Sequence, residues 1–160
     1  MAVFLLLLVC LTAGTSAGRQ RPDFSGTWTF DQQKTLKPGP DGRIVLAAML
    51  GDEFVALQTA TSLTLRIKVQ GEIVVAVYDL TGKASRNISP GDIEVTSRAS
   101  WDGDRLLIDT ESDSTEDGKP VVIRTRRVLS IDEAGDLIIE RSGTPASAVT
   151  PSRSVYRKVR

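Results

Sequence analysis

Beyond residue 60 the chain alternates apolar and polar residues with a period of two. Leu63, Leu65, Ile67 and Val69 alternate with Thr64, Arg66 and Lys68. Ile93, Val95, Ser97, Ala99 and Trp101 alternate with Glu94, Thr96, Arg98 and Ser100, and the pattern returns at 105–110 and 121–129. Successive side chains of a strand point to opposite faces, so each run offers one face to a core and one to water. Turn signals punctuate the runs: Gln70-Gly71-Glu72, Thr81-Gly82-Lys83, Asp102-Gly103, Glu116-Asp117-Gly118 and Glu133-Ala134-Gly135. Strands are expected near 24–30, 54–58, 63–69, 73–79, 93–101, 104–112, 121–130, 136–142 and 152–159. A strong helical period is missing from the region beyond residue 17; the best exception is Ile44 to Leu50, I-V-L-A-A-M-L, which reads as a short helix or an edge strand.

Many strands joined by hairpin links imply an antiparallel meander. Eight to ten such strands close into an all-β, up-and-down barrel, because closure removes exposed edges. A two-sheet sandwich is the alternative, and it needs longer links than most found here. If Asp102-Gly103 forms a two-residue turn, Trp101 pairs with Asp104, Ala99 with Leu106 and Ser97 with Ile108. All apolar alternates then share one face. The 63–69/73–79 hairpin is different, since Val74, Val75, Ala76 and Val77 are apolar on both faces.

The N-terminus has another character. Val3 to Leu11 is an unbroken apolar run, too short to span a bilayer, which takes about 20 residues. Thr15 and Ala17 follow as a small-x-small cleavage site. Residues 1–17 therefore read as a secretory signal peptide cut after Ala17, and 18–160 as one barrel domain, secreted or periplasmic, with no stable membrane insertion after cleavage. The single cysteine, Cys10, leaves with the peptide.

Several functions are excluded by composition. The sequence has no histidine, so it carries no Ser-His-Asp or Cys-His nucleophile and no imidazole metal ligand. Twenty basic residues balance 20 acidic ones, which argues against nucleic-acid binding. Asp113-Ser-Thr115-Glu-Asp117-Gly118 imitates the start of a calcium loop, but Arg124 stands where the bidentate glutamate belongs. The expectation is a solvated hairpin loop and no metal. Asn87-Ile-Ser89 matches a glycosylation sequon but is followed by Pro90. Asp102 and Asp104 lie at a hairpin tip, where water keeps both ionised, so they make no acid–base pair. No enzyme and no cofactor are expected.

The motifs F-S-G-T-W-T-F at 24–30, a Tyr-x-Leu-x-Gly turn at 78–82, W-D-G-D-R-L-L-I at 101–108, L-I-I-E-R at 137–141 and V-Y-R-K at 155–158 span nearly all of 22–159. Together they resemble a group of small exported bacterial lipocalin-like proteins within the calycins. That resemblance implies a barrel whose closed end is plugged by Trp28. It also implies that an arginine stacks on Trp28. The calycins include fatty-acid-binding proteins, in which an Arg-x-Tyr near the C-terminus holds a carboxylate. Here Arg153 and Tyr156 are three apart, so they cannot share a strand face, and the carboxylate site is not carried over to them.

Arg127 and Arg141 are the more informative cations. Pairing Leu129 with Leu137 sets Arg126 opposite Glu140 outside, and turns Arg127 and Arg141 inward with Ile123, Thr125 and Ile139. A buried unpaired charge is costly, so three arrangements remain: an arginine stacks on Trp28, reaches water at the mouth, or awaits an anionic ligand. Arg127, Arg141, Trp101 and Tyr156 form the candidate ligand-binding set, for a small apolar or carboxylate ligand. The function expected is an exported carrier; a filled, non-enzymatic structural or protein-interaction barrel is the alternative. An interior cavity above about 300 Å³ separates the two.

Overall fold

The computed structural model describes residues 21–35, 49–69, 71–89, 92–147 and 149–159. The expected signal peptide and Ile44–Ala48 lie outside them.

Ten antiparallel strands form one sheet: β1 (Gly26–Phe30), β2 (Glu53–Gln58), β3 (Ser62–Val69), β4 (Glu72–Asp79), β5 (Ala84–Ser89), β6 (Ile93–Asp102), β7 (Arg105–Glu116), β8 (Lys119–Ile131), β9 (Leu137–Thr144) and β10 (Ser152–Lys158). The sheet order is β4-β3-β2-β1-β10-β9-β8-β7-β6-β5. Pairing of β1 with β10 joins the two halves of the meander and rolls it into a nearly closed barrel. The expected architecture is therefore found, and the sandwich is not.

The structure departs from expectation in five places. The helix among the described residues is the single turn α1 (Gln32–Thr35). Asp31 caps it, accepting from Lys34 N at 3.0 Å, and Asp31 also pairs with Arg157 at 2.9 Å. β5 was not expected as a strand. Its apolar residues, Ala84 and Ile88, point outward, whereas Ser85, Asn87 and Ser89 occupy the inward alternates, so the usual pattern is inverted. The 102–105 hairpin turns one residue later than expected: Asp102 pairs with Arg105, Trp101 with Leu106 and Ala99 with Ile108. Gly103, at φ 63°, takes the first central position, as a type II′ turn requires. The β8–β9 pairing shifts likewise, with Leu129 opposite Ile139 and Val128 rather than Arg126 opposite Glu140. Both slips displace partners by two residues, so every side chain keeps its expected face. Finally, β7 runs on to Glu116, so Asp113 to Thr115 lie in a strand rather than a loop. Asp117 and Gly118 form the turn with φ of 50° and 75°, a type I′ pattern.

The core fills one end of the barrel. Trp28, Phe24, Leu63, Leu106, Leu129, Leu137, Ile139 and Tyr156 are essentially inaccessible. Trp28 donates Nε1 to the Phe24 carbonyl at 2.8 Å. Its ring is covered by Lys158 Nζ at 5.5 Å, so a lysine stacks there in place of the expected arginine, and neither Arg127 nor Arg141 does.

The barrel closes incompletely. β4 and β5 end the sheet on either side and share no backbone ladder. Side chains bridge them instead. Asn87 accepts from Val77 N at 2.7 Å and donates to Val77 O at 3.0 Å, and Ser85 Oγ accepts from Asp79 N at 2.8 Å. The Asn87 amide thus imitates the missing strand, which commits the sequon asparagine to the seam. On the outside of β4, Ile73, Val75 and Val77 are 61%, 48% and 44% exposed, so nothing among the described residues covers the doubly apolar hairpin.

Candidate ligand cavity

Cross-strand pairing stacks the inward residues of β6 to β10 in layers. The lowest, Trp101, Leu106, Leu129, Ile139 and Ser154, belongs to the filled core. Above it runs Ala99, Ile108, Arg127, Arg141 and Ser152, and above that Ser97, Thr110, Thr125 and Gly143. The interior changes from apolar to cationic to hydroxylic within two layers. Above this change the barrel is hollow, with a cavity of about 640 Å³. Its walls include Met49, Ile67, Val74, Ala76, Val95 and Ile123 with Asn87, Ser97, Thr110, Thr125, Arg127 and Arg141.

Arg127 and Arg141 stand directly opposite one another on β8 and β9. Opposed residues on neighbouring strands hold their Cβ atoms about 5 Å apart, and like charges there repel. Both Nε atoms are buried without a hydrogen-bond partner among the described residues. Arg127 reaches across the interior to donate to Tyr78 Oη at 3.4 Å. Burial, and then the adjacent Arg127 charge, hold the Arg141 guanidinium below its ordinary pKa. Among the described residues no carboxylate forms an ion pair with either arginine. The outward arginines contrast with this pair: Arg126 pairs with Asp109 at 2.6 Å and Arg124 with Glu111 at 2.7 Å. Ser97 and Thr110 hydroxyls bond each other at 2.9 Å beside the pair, leaving neutral donors in the same space.

The other candidate residues lie elsewhere. Trp101 is not part of the cavity wall. It stacks on Phe24 at 6.0 Å and is capped by Arg21 at 5.1 Å, toward the filled end. Tyr156 is wholly buried behind the wall. Its hydroxyl accepts from Leu50 N at 2.9 Å and donates to Gly51 O at 3.3 Å, and its ring meets Phe54 edge-on at 5.1 Å. Desolvation pushes its phenol up to about 12. Tyr156 therefore anchors the segment 49–51, which forms part of the cavity rim. Leu50 is buried and Met49 packs on the core, so the described end of the apolar run Ile44–Leu50 seats on the barrel. Tyr78 and Asn87 were not singled out as cavity residues in the sequence. Tyr78 could be placed by strand parity, whereas Asn87 has no signal beyond its inverted strand.

Among the described residues no cluster of three His, Cys, Asp or Glu side chains could hold a metal ion. Equally, no helix among them is long and apolar enough to cross a membrane.

No protein-family model and no curated protein sequence matches this chain. Solved structures do. Lipid binding protein 8 of Caenorhabditis elegans superposes with a TM-score of 0.57 over 85% of this chain and 95% of its own, at 9% identity. A protein described as the REP1-NXSQ fatty acid transporter gives 0.56 over 85% and 96%, at 10% identity. The chain shares the fold of these lipid-binding barrels. At such low identity the likeness is one of fold alone.

Proposed function

We propose that this protein is an exported, non-catalytic carrier of an apolar ligand that bears an acidic head group. The observation that carries the reading is the opposed pair Arg127 and Arg141, half-buried, with both Nε atoms unpartnered, at the floor of a cavity of about 640 Å³. Buried donors without acceptors are costly, and a bound anion would satisfy them. The apolar wall above them suits a hydrocarbon tail. The fold neighbours described as a lipid-binding protein and a fatty acid transporter support the same class of ligand. A barrel with a filled core fits poorly with a cavity of this size. Export rests on the Val3–Leu11 run and the Thr15-x-Ala17 site.

Dodecanoate should displace 1-anilinonaphthalene-8-sulfonate from residues 18–160, and Arg127→Met/Arg141→Met should abolish the displacement. A double variant that binds dodecanoate as well as the parent would refute the head-group assignment. Export is checked by N-terminal sequencing from the native host. A mature terminus near Gly18 is expected, and an intact Met1 in the cytoplasm would count against it.

A further inference from the structure

The charge balance at the cavity floor goes beyond the presence of an anion and bears on its valence. This step rests on the carrier reading above. Two guanidiniums face one another across β8 and β9, and no carboxylate among the described residues neutralises either. The groups in the layers around them are neutral, Tyr78 Oη, Ser97, Thr110 and Thr125, and the other charged residues that line the cavity, Asp52 and Lys68, offset each other in sign. A fatty acid carboxylate brings one charge and two oxygens. One positive charge would stay uncompensated in a partly desolvated site. A tetrahedral dianion brings two charges and three terminal oxygens. Guanidinium forks match such oxygens bidentately. Tyr78 Oη already accepts from Arg127, which leaves its proton free to donate to the third oxygen. The layer of Ser97, Thr110 and Thr125 sits directly above, where the ester end of a head group would leave for the cavity.

We infer that the cavity is matched to an amphiphile with a dianionic phosphomonoester head, bound between Arg127 and Arg141 and against Tyr78, with its hydrocarbon tail in the apolar part of the cavity.

Displacement of 1-anilinonaphthalene-8-sulfonate from residues 18–160 tests this with dodecyl phosphate, its methyl diester, dodecanoate and inorganic phosphate. The second ionisation of a phosphomonoester falls near pH 6, whereas the diester stays a monoanion throughout. Dodecyl phosphate should bind at least about tenfold tighter than the diester at pH 8, and the ratio should fall to within about threefold at pH 5 as the second charge is lost. Arg141→Gln should reduce the pH 8 ratio to within about threefold, while the outward Arg126→Gln should leave it unchanged. A ratio that does not vary with pH, or dodecanoate binding as tightly as dodecyl phosphate at pH 8, overturns the dianion assignment and leaves the carrier reading standing. Failure of every amphiphile overturns both. If inorganic phosphate displaces the probe at the same concentration as dodecyl phosphate, the ligand is free phosphate and the amphiphile is excluded.

Discussion

Replacement of Arg141 by methionine should make the protein more stable while weakening its affinity for anions. Two opposed cations about 6 Å apart repel by about 3 kcal/mol at an effective dielectric of 20. Each side chain is only half-buried, so cavity water screens about half of that, leaving about 1.5 kcal/mol. The orphaned Nε–H of Arg141 adds a desolvation penalty of about 1 kcal/mol at the lower end of its range. Methionine keeps an unbranched apolar stem and loses some of the guanidinium's packing, which offsets part of the gain. The net expectation is a stabilisation of about 1–2 kcal/mol, or about 3–6 °C in Tm for a chain of this size. Differential scanning fluorimetry at 20 mM and 500 mM NaCl provides the assay. The parent should gain more from salt than the variant, because only the parent contains the repulsion. If Arg141→Met lowers Tm by several degrees and both proteins respond equally to salt, the guanidinium has a structural partner and the site reasoning fails.

Tyr156→Phe removes the bonds to Leu50 N and Gly51 O and should cost about 1–2 kcal/mol, read by urea denaturation. The Tyr156 phenol is raised to about 12, so its contribution is complete below the unfolded value near 10. That contribution is lost as pH rises from about 10 toward 12; a parent protein whose extra stability over Tyr156→Phe is the same at pH 9 and pH 11.5 would contradict the burial argument. Asn87→Ala should speed hydrogen exchange at the Val77 amide by at least tenfold while leaving the β7–β8 ladder protected, and uniform loss of protection would show that the seam is not a separate unit. At Gly143 an added Cβ would lie 2.3 Å from Arg124 O and 2.8 Å from Val149 Cγ1. Gly143→Ala should therefore cost about 1–3 kcal/mol; an unchanged denaturation midpoint would mean that the backbone yields there freely.

Strand parity was readable because half of each strand faces a core. The inward facing of Arg127, Arg141, Ala99 and Ile108 survived two register slips, since a slip of two residues preserves the face. Height within the barrel was not readable. Trp101 and Arg127 share the inward side, yet one lies in the filled layer and the other at the cavity floor. Alternation says which side a residue takes, and only the full set of strand offsets says which layer. The Arg127–Tyr78 contact joins residues 49 apart and depends on closure of the whole barrel. β5 escaped notice because its inward residues are polar, and they are polar because they serve the seam rather than the core. The four-residue α1 is too short to show any period.

The circumference of this barrel is set at one place by side chains rather than by the main chain. Every other junction is a ladder; β7 and β8 alone match eleven residue pairs, whereas β4 and β5 are clasped by three bonds from Asn87 and Ser85. Girth is therefore the property most open to change by substitution. A longer or shorter side chain at residue 85 or 87 retunes how wide the interior stands without disturbing any ladder. Evolution can thus adjust the bore for ligands of different thickness through two positions, while Trp28, the opposed arginines and the remaining strands stay as they are.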